Sequence, residues 1–371
     1  MFAEMKRTSP DALLVVSFGG PEGMDDVRPF LANVTRGRGV PEERLEVVAK
    51  QYALFGGISP LNGQCRRLVA SLGNLLDEQG PRLPVYLGHR NWHPFLEDTV
   101  RQMAQDGIGR AFAFVTSAYS SFSSCRQYLD DIDRARAAVG EAAPEITKLR
   151  PFWNHPGFIE PMAAGLGLAL AGTAGQAELT GGVLALGEGA PFGAFAPQDQ
   201  VGPGATRILF TAHSLPLAAA QSCDYQRQLH DAAELIIGCS RAAPSWEIVF
   251  QSRSGSPTIP WLEPDITERI ETLAQEGVRR IIAVPLGFVF DHMEVLFDLD
   301  VRAAGRARDC GIAFERVATP GEDPRFVAMV RELMLERLEP GRSRRALGAL
   351  GPRSDVCAAD CCPAPASAGT R

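Results

Sequence analysis

Short apolar and β-branched runs, each separated from the next by an amphipathic stretch, constrain this chain more than any other feature. They are Leu13 to Phe18, Pro84 to Leu87, Ala111 to Thr116, Arg207 to Thr211, Glu247 to Gln251 and Arg280 to Pro285. Runs of this length read as buried strands. The intervening stretches carry helical spacing, as in 94–106, where Phe95, Leu96, Val100 and Met103 recur, and in 266–276, which stops at Gly277. Strand alternating with helix predicts a parallel α/β architecture, because parallel strands need a long crossover and a helix is the compact way to make one. Two helix-to-strand phrases, DGIGRAFAFVTS at Asp106 to Ser117 and EGVRRIIAVPLG at Glu276 to Gly287, share an order of acid, glycine, apolar, basic and buried strand. They suggest two related halves, although any helix–strand junction with a glycine cap gives a similar match.

A length of 371 residues suits two cores better than one. With 45% hydrophobic and 22% charged residues, the chain has the balance of a globular protein. The formal net charge of −7 supplies no basic stripe for phosphates, so no nucleic-acid partner is expected. No run approaches the ~20 apolar residues of a membrane-spanning helix, and the opening stretch lacks a cleavage pattern. A cytoplasmic location is therefore expected, and with it reduced thiols or metal ligands for the eight cysteines. Two segments depart from the strand–helix pattern. The stretch 171–204 is Gly/Ala-rich, poor in charge and interrupted by Pro191, Pro197 and Pro203, which reads as a surface insertion. After Pro340 no further strand is visible, and Cys357, Cys361 and Cys362 crowd the tail.

Chemistry-bearing residues gather after two of the strands. RILFTAHSLP sets His213 just beyond a strand's C-terminal end, where the ligand crevice of an open α/β sheet lies. A histidine there can also simply cap the next helix. IIAVPLGFVFDHMEVLFDLD then delivers Asp291, His292, Glu294, Asp298 and Asp300 within ten residues. On a helix Glu294 and Asp298 share a face, with Asp291 in the same row. The residues between them, Met293, Val295, Leu296, Phe297 and Leu299, are apolar, so the acids are expected to be buried. Buried carboxylates without basic partners nearby in sequence are costly unless they bind metal or share protons. One histidine with several carboxylates suits a divalent cation that is bound and then released, or acid–base chemistry.

SFGGPEG, VTRGRGVPEER, FGGISPLNGQ, FTAHSLP, QSRSG, PWLEPDI and GFVFDHMEVLFDLD resemble the ferrochelatases, in particular the actinobacterial coproporphyrin III group, from about residue 11 to about 335. The resemblance implies two flavodoxin-like (Rossmann-like), doubly wound parallel-sheet domains with a porphyrin cleft between them. The expected boundaries are 9–145, completed by a returning helix at 318–340, then 146–317 carrying the insertion, and a tail from 341 to 371. It implies insertion of Fe2+ into coproporphyrin III, with protoporphyrin IX as the alternative porphyrin. His213 and Glu294 are then the catalytic pair and the residues that meet the iron. Asp291, His292 and Asp298 form a proton or metal relay behind them, while Asp300 can equally serve helix solvation and capping. By motif position the propionates would meet Arg36, Arg38, Tyr52, Ser59 and Tyr128. Two departures stand out: Phe18 occupies a position where some relatives carry tyrosine, and Asn91 one where others carry His or Tyr. Cluster-bearing relatives further imply a 2Fe–2S cluster on Cys125, Cys357, Cys361 and Cys362; zinc on the same sulfurs or an incidental set of thiols are the alternatives. Expected partners are the porphyrin, Fe2+ and other heme-pathway enzymes. A chelatase for cobalt or nickel would keep the His–acid pair but not PWLEPDI together with VTRGRG. A non-catalytic porphyrin carrier would need no acidic row.

Overall fold

The computed structural model describes residues 9–37, 39–172, 206–240, 245–254, 258–358 and 361–364. Arg38 and the insertion from residue 173 onward therefore lie outside the described residues. The first half builds a parallel sheet from β1 (Ala12–Ser17), β2 (Val85–His89), β3 (Arg110–Val115) and β4 (Glu145–Lys148), in the order β2-β1-β3-β4. The second half repeats it with β5 (Thr206–His213), β6 (Trp246–Gln251), β7 (Arg280–Val284) and β8 (Ala313–Arg316), ordered β6-β5-β7-β8. Leu13 sits in register with Val85 and Phe112, and Ile208 with Trp246 and Ile282. Every residue of β1 is buried, as expected for a central strand covered by helices on both faces. The two similar phrases occupy equivalent places, leading into β3 and β7 through Gly107 and Gly277. Both glycines take left-handed backbones (φ +76° and +85°) that close the preceding helix.

β4 and β8 extend the sequence-based expectation. These short edge strands carry Glu145, Lys148, Glu315 and Arg316 and are half-exposed, so they lack an apolar run to mark them. One contiguous core joins the two halves: Leu13, Val15 and Phe114 on one side meet Phe152, Phe158 and Phe326 in the middle and Phe210 and Ile282 on the other. Helix Pro324–Leu338 packs both on helix Leu61–Gln79 of the first half and on helix Pro156–Leu170, which follows β4. A smaller apolar group, Val27, Phe30, Leu31, Tyr52 and Trp92 of the first half, receives Met293 from the second.

The chain beyond residue 340 is docked, where the sequence suggested only an end to the core. Arg150 and Glu336, each 1% exposed, pair bidentately at 2.7 and 2.8 Å. Arg150 also donates to the Arg345 carbonyl at 2.8 Å, and Asn154 donates to the Gly351 carbonyl at 2.8 Å. These buried donors fix the strap that delivers the tail cysteines. Among the described residues no helix is long and apolar enough to cross a membrane.

Candidate active site

His213 ends β5, and Glu294 follows the loop that leaves β7. Since β5 and β7 are neighbours whose onward connections diverge, their carboxyl ends open the crevice of the second sheet. His213 Nε2 lies 3.6 Å from Glu294 Oε1, with both side chains partly exposed to that crevice. The imidazole is oriented from behind: Nδ1 donates to the Ser214 carbonyl at 2.6 Å, which turns Nε2 towards the carboxylate. The main chain is held too. The Tyr225 hydroxyl donates to the His213 carbonyl at 3.1 Å, and the Gln251 amide donates to the Glu294 carbonyl at 2.9 Å.

Electrostatics follow from the pairing. Burial disfavours a charged His213, but the Glu294 carboxylate outweighs it and, with Ser214 and Asp298, raises the imidazole to about 9. Burial likewise opposes a charged Glu294, yet His213 lowers that carboxyl to about 2. At neutral pH the two are an imidazolium–carboxylate pair. Burial lowers the pKa of His292, which caps the following turn by accepting from Glu294 N–H at 3.2 Å and packs against Phe288.

The acidic row differs from the sequence expectation in shape and in partners. Only Met293–Val295 is α-helical; Leu296–Ala303 winds as a π-helix, and Asp291 precedes both. The acids also have basic partners. Asp298 is buried, accepts from the Ser252 hydroxyl at 2.5 Å and pairs with Arg302 at 3.0 Å. Burial still raises its pKa against both contacts. Arg316 of β8 holds Asp291 at 3.0 and 3.1 Å and Asp300 at 2.6 and 3.0 Å, and Thr319 adds a bond to Asp291 at 3.1 Å. Asp291 is thus a pinned anchor of the loop, and Asp300 shares its clamp. Arg316 was missed because it lies on the edge strand that the apolar pattern did not reveal.

The residues expected at the propionates are spread over the first half. Arg36 is exposed beside the left-handed Gly37 and Gly39 and donates to Asn33 at 2.6 Å. Tyr52 is buried against Phe30 and within electrostatic reach of Glu294; burial first, then that carboxylate, raises its hydroxyl pKa. Ser59 is buried so tightly against Gly20 that a Cβ there would sit 2.6 Å from the Ser59 Cβ. Tyr128 is buried beneath Arg90, whose guanidinium lies 5.8 Å from its ring and 5.9 Å from that of Phe18. Arg90, paired with Asp131 at 2.9 Å, was passed over in the sequence; its signal was its place directly after β2.

Cys125 is buried in a π-turn, Phe122–Arg126, and the docked tail brings its cysteines to the same region. Burial raises the thiol pKa of both Cys357 and Cys362; beyond burial, Cys361 and Cys125 raise both, and Cys223 adds to the shift at Cys362. The sulfurs of Cys361 and Cys362 are 3.6 Å apart, and Cys362 takes a left-handed backbone (φ +56°). Adjacent side chains on an extended chain point to opposite sides; the left-handed residue breaks that alternation. Arg353 donates to Cys361 Sγ at 3.5 Å and pairs with Asp224 at 2.6 Å. Among the described residues no group of three or more His, Cys, Asp or Glu side chains stands in metal-holding geometry.

Two parallel doubly wound sheets with a His–carboxylate pair at a strand-end crevice make an arrangement chemically able to bind a cation or exchange a proton there. The family model for ferrochelatase matches residues 10–338. A coproporphyrin III ferrochelatase of Streptomyces griseus is 47% identical over 99% of this chain and 98% of its own. One from Nocardia farcinica is 47% identical over 97% and 99%, and a ferrochelatase of Rhodopirellula baltica 46% identical over 95% and 93%. The chain belongs to the ferrochelatase family, enzymes whose substrates are a porphyrin and ferrous iron.

Proposed function

We propose that this ferrochelatase inserts Fe2+ into coproporphyrin III to form coproheme, with His213 and Glu294 as the catalytic pair. The observation that carries the residue assignment is the 3.6 Å approach of His213 Nε2 to Glu294 at the crevice. The porphyrin assignment rests on the full-length relatives named for coproporphyrin III.

Metalation must strip water from iron and remove two pyrrole protons. In the resting pair His213 is protonated because Glu294 is charged, so it holds no free lone pair. A cation arriving at Glu294 cancels that charge, burial then favours neutral imidazole, and the Nε2 proton leaves to solvent through the open crevice. Nδ1 stays committed to Ser214, so the lone pair that appears is on Nε2, facing the crevice, where it can take a pyrrole proton. His292 and Asp298 stand behind the pair as the proton relay; Asp291 serves by pinning their loop. Arg36, Tyr52, Ser59 and Tyr128 are assigned to the propionate side chains. Four propionates use such donors where the two vinyl groups of protoporphyrin IX leave some unmatched. Hence kcat/KM, followed anaerobically by the Soret band, is expected to be higher for coproporphyrin III than for protoporphyrin IX. Equal values would defeat the porphyrin assignment.

The tail thiols are assigned to a 2Fe–2S cluster on Cys125, Cys357, Cys361 and Cys362. Four thiols within electrostatic reach of one another are the donor set such a cluster takes, and Cys361 and Cys362 approach to 3.6 Å, although the four do not stand in ligating geometry in this structure. When bound, it supplies one-electron redox capacity. The residues themselves would tie the tail to the turn carrying Cys125. Anaerobically purified protein should be reddish-brown with about two irons and two labile sulfides per chain, and serine at any one of the four should bleach it. Colour retained in Cys125→Ser alone would move the fourth ligand to Cys223, the other thiol in electrostatic reach. Colourless, sulfide-free protein would remove the cluster.

A further inference from the structure

Two non-glycine residues among those described hold a left-handed backbone, Cys362 in the tail and Ser252 (φ +64°). Serine has no intrinsic reason to be there, since its Cβ crowds the following carbonyl, and such outliers persist only where the surroundings over-determine them. Ser252 stands one residue past the end of β6, outside the carboxyl end of the sheet and beside the crevice. Its turn carries the hydroxyl to Asp298 Oδ2 at 2.5 Å, while Arg302 holds the other oxygen at 3.0 Å. The preceding residue, Gln251, is fully buried and donates to the Glu294 carbonyl at 2.9 Å. The end of β6 therefore grips the segment Glu294 to Asp298 at both of its ends. That segment contains the change from α- to π-helical winding, a conformation with poor intrinsic stability that needs holding from outside.

We propose that Ser252 is a positioning residue for metal insertion: its strained backbone aims a hydroxyl at Asp298 and, with Gln251, fixes the π-helical turn that presents Glu294. The proposal rests on Glu294 acting in the reaction. It also separates hydroxyl from strain, because glycine relaxes a left-handed backbone and alanine does not, while both lose the oxygen.

The test uses the full chain carrying Ser252→Gly, Ser252→Ala, Asp298→Ala, Glu294→Gln and the Ser252→Gly/Asp298→Ala double variant. Ser252→Gly is expected to keep or raise the melting temperature, yet both Ser252 variants lose kcat for iron insertion by about tenfold at unchanged porphyrin KM, as misplacement of a reacting group does. The double variant should be no slower than Asp298→Ala alone, since one contact is being removed twice. Full kcat in Ser252→Gly, or losses that multiply in the double variant, would overturn the role of Ser252 while an inactive Glu294→Gln left the Glu294 assignment standing. Full activity in Glu294→Gln would overturn both.

Discussion

Glu294 sets the charge of His213, so the two residues titrate as each other's environment. Replacing Glu294 by glutamine should lower the imidazole from about 9 towards or below 6.5, because burial is then opposed only by weaker groups; an NMR titration of the ring measures it. The pair has a window of stability with two edges. The raised His213 contributes fully below its ordinary pKa and loses its contribution as pH rises through about 9. The lowered Glu294 contributes above its ordinary value and loses it as pH falls through about 2. The stability advantage of the parent over Glu294→Gln should therefore be widest between about pH 5 and 6 and gone above about pH 10, as thermal melts across pH would register. Both members of the pair were legible because each follows a strand at a crevice. Arg316 and Ser252 were not, because nothing in a linear reading says which distant basic or hydroxyl side chain will face a buried acid; Arg302 carried a signal that went unread, its place four residues after Asp298.

At the scale of elements, the end of β5 is set by contact with the loop after β7. A Cβ on Gly287 would lie 2.8 Å from Ala212 Cα and 2.9 Å from its Cβ, directly beside His213. Backbone cannot yield there as a flexible side chain would. Gly287→Ala should cost ~1–3 kcal/mol in denaturant unfolding and lower kcat by displacing the histidine. Unchanged stability and rate would mean that the loop can move freely. The central strands β1, β3, β5 and β7 announced themselves through unbroken apolar runs. The edge strands β4 and β8 did not, since polar residues suit an edge. Nor did the π-helix: an apolar pattern marks a buried helix but does not distinguish i+4 from i+5 bonding.

The molecule as a whole is two copies of one sheet topology sharing a core, closed by helix Pro324–Leu338 and a strapped tail. The strap depends on Arg150 and Glu336, both fully buried. Removing one partner strands a charge, so Glu336→Gln should cost ~3–5 kcal/mol by urea unfolding and make the tail sensitive to protease. Arg150→Met with Glu336→Leu should recover most of that stability. A single variant as stable as the parent would show that the pair holds nothing. The doubly wound architecture was legible in the strand–helix alternation, and the paired phrases pointed to its repetition. The docking of the tail was not, because it rests on side chains nearly two hundred residues apart. The proposed chemistry places His213 and Glu294 at the insertion step. It is tested most directly by mixing anaerobic Fe2+ and coproporphyrin III with His213→Ala, and following the Soret band beside a porphyrin-binding titration. Insertion should be abolished while porphyrin affinity stays within about tenfold of the parent, since the proton acceptor is lost but the cleft is not. Turnover at the parent rate would contradict it.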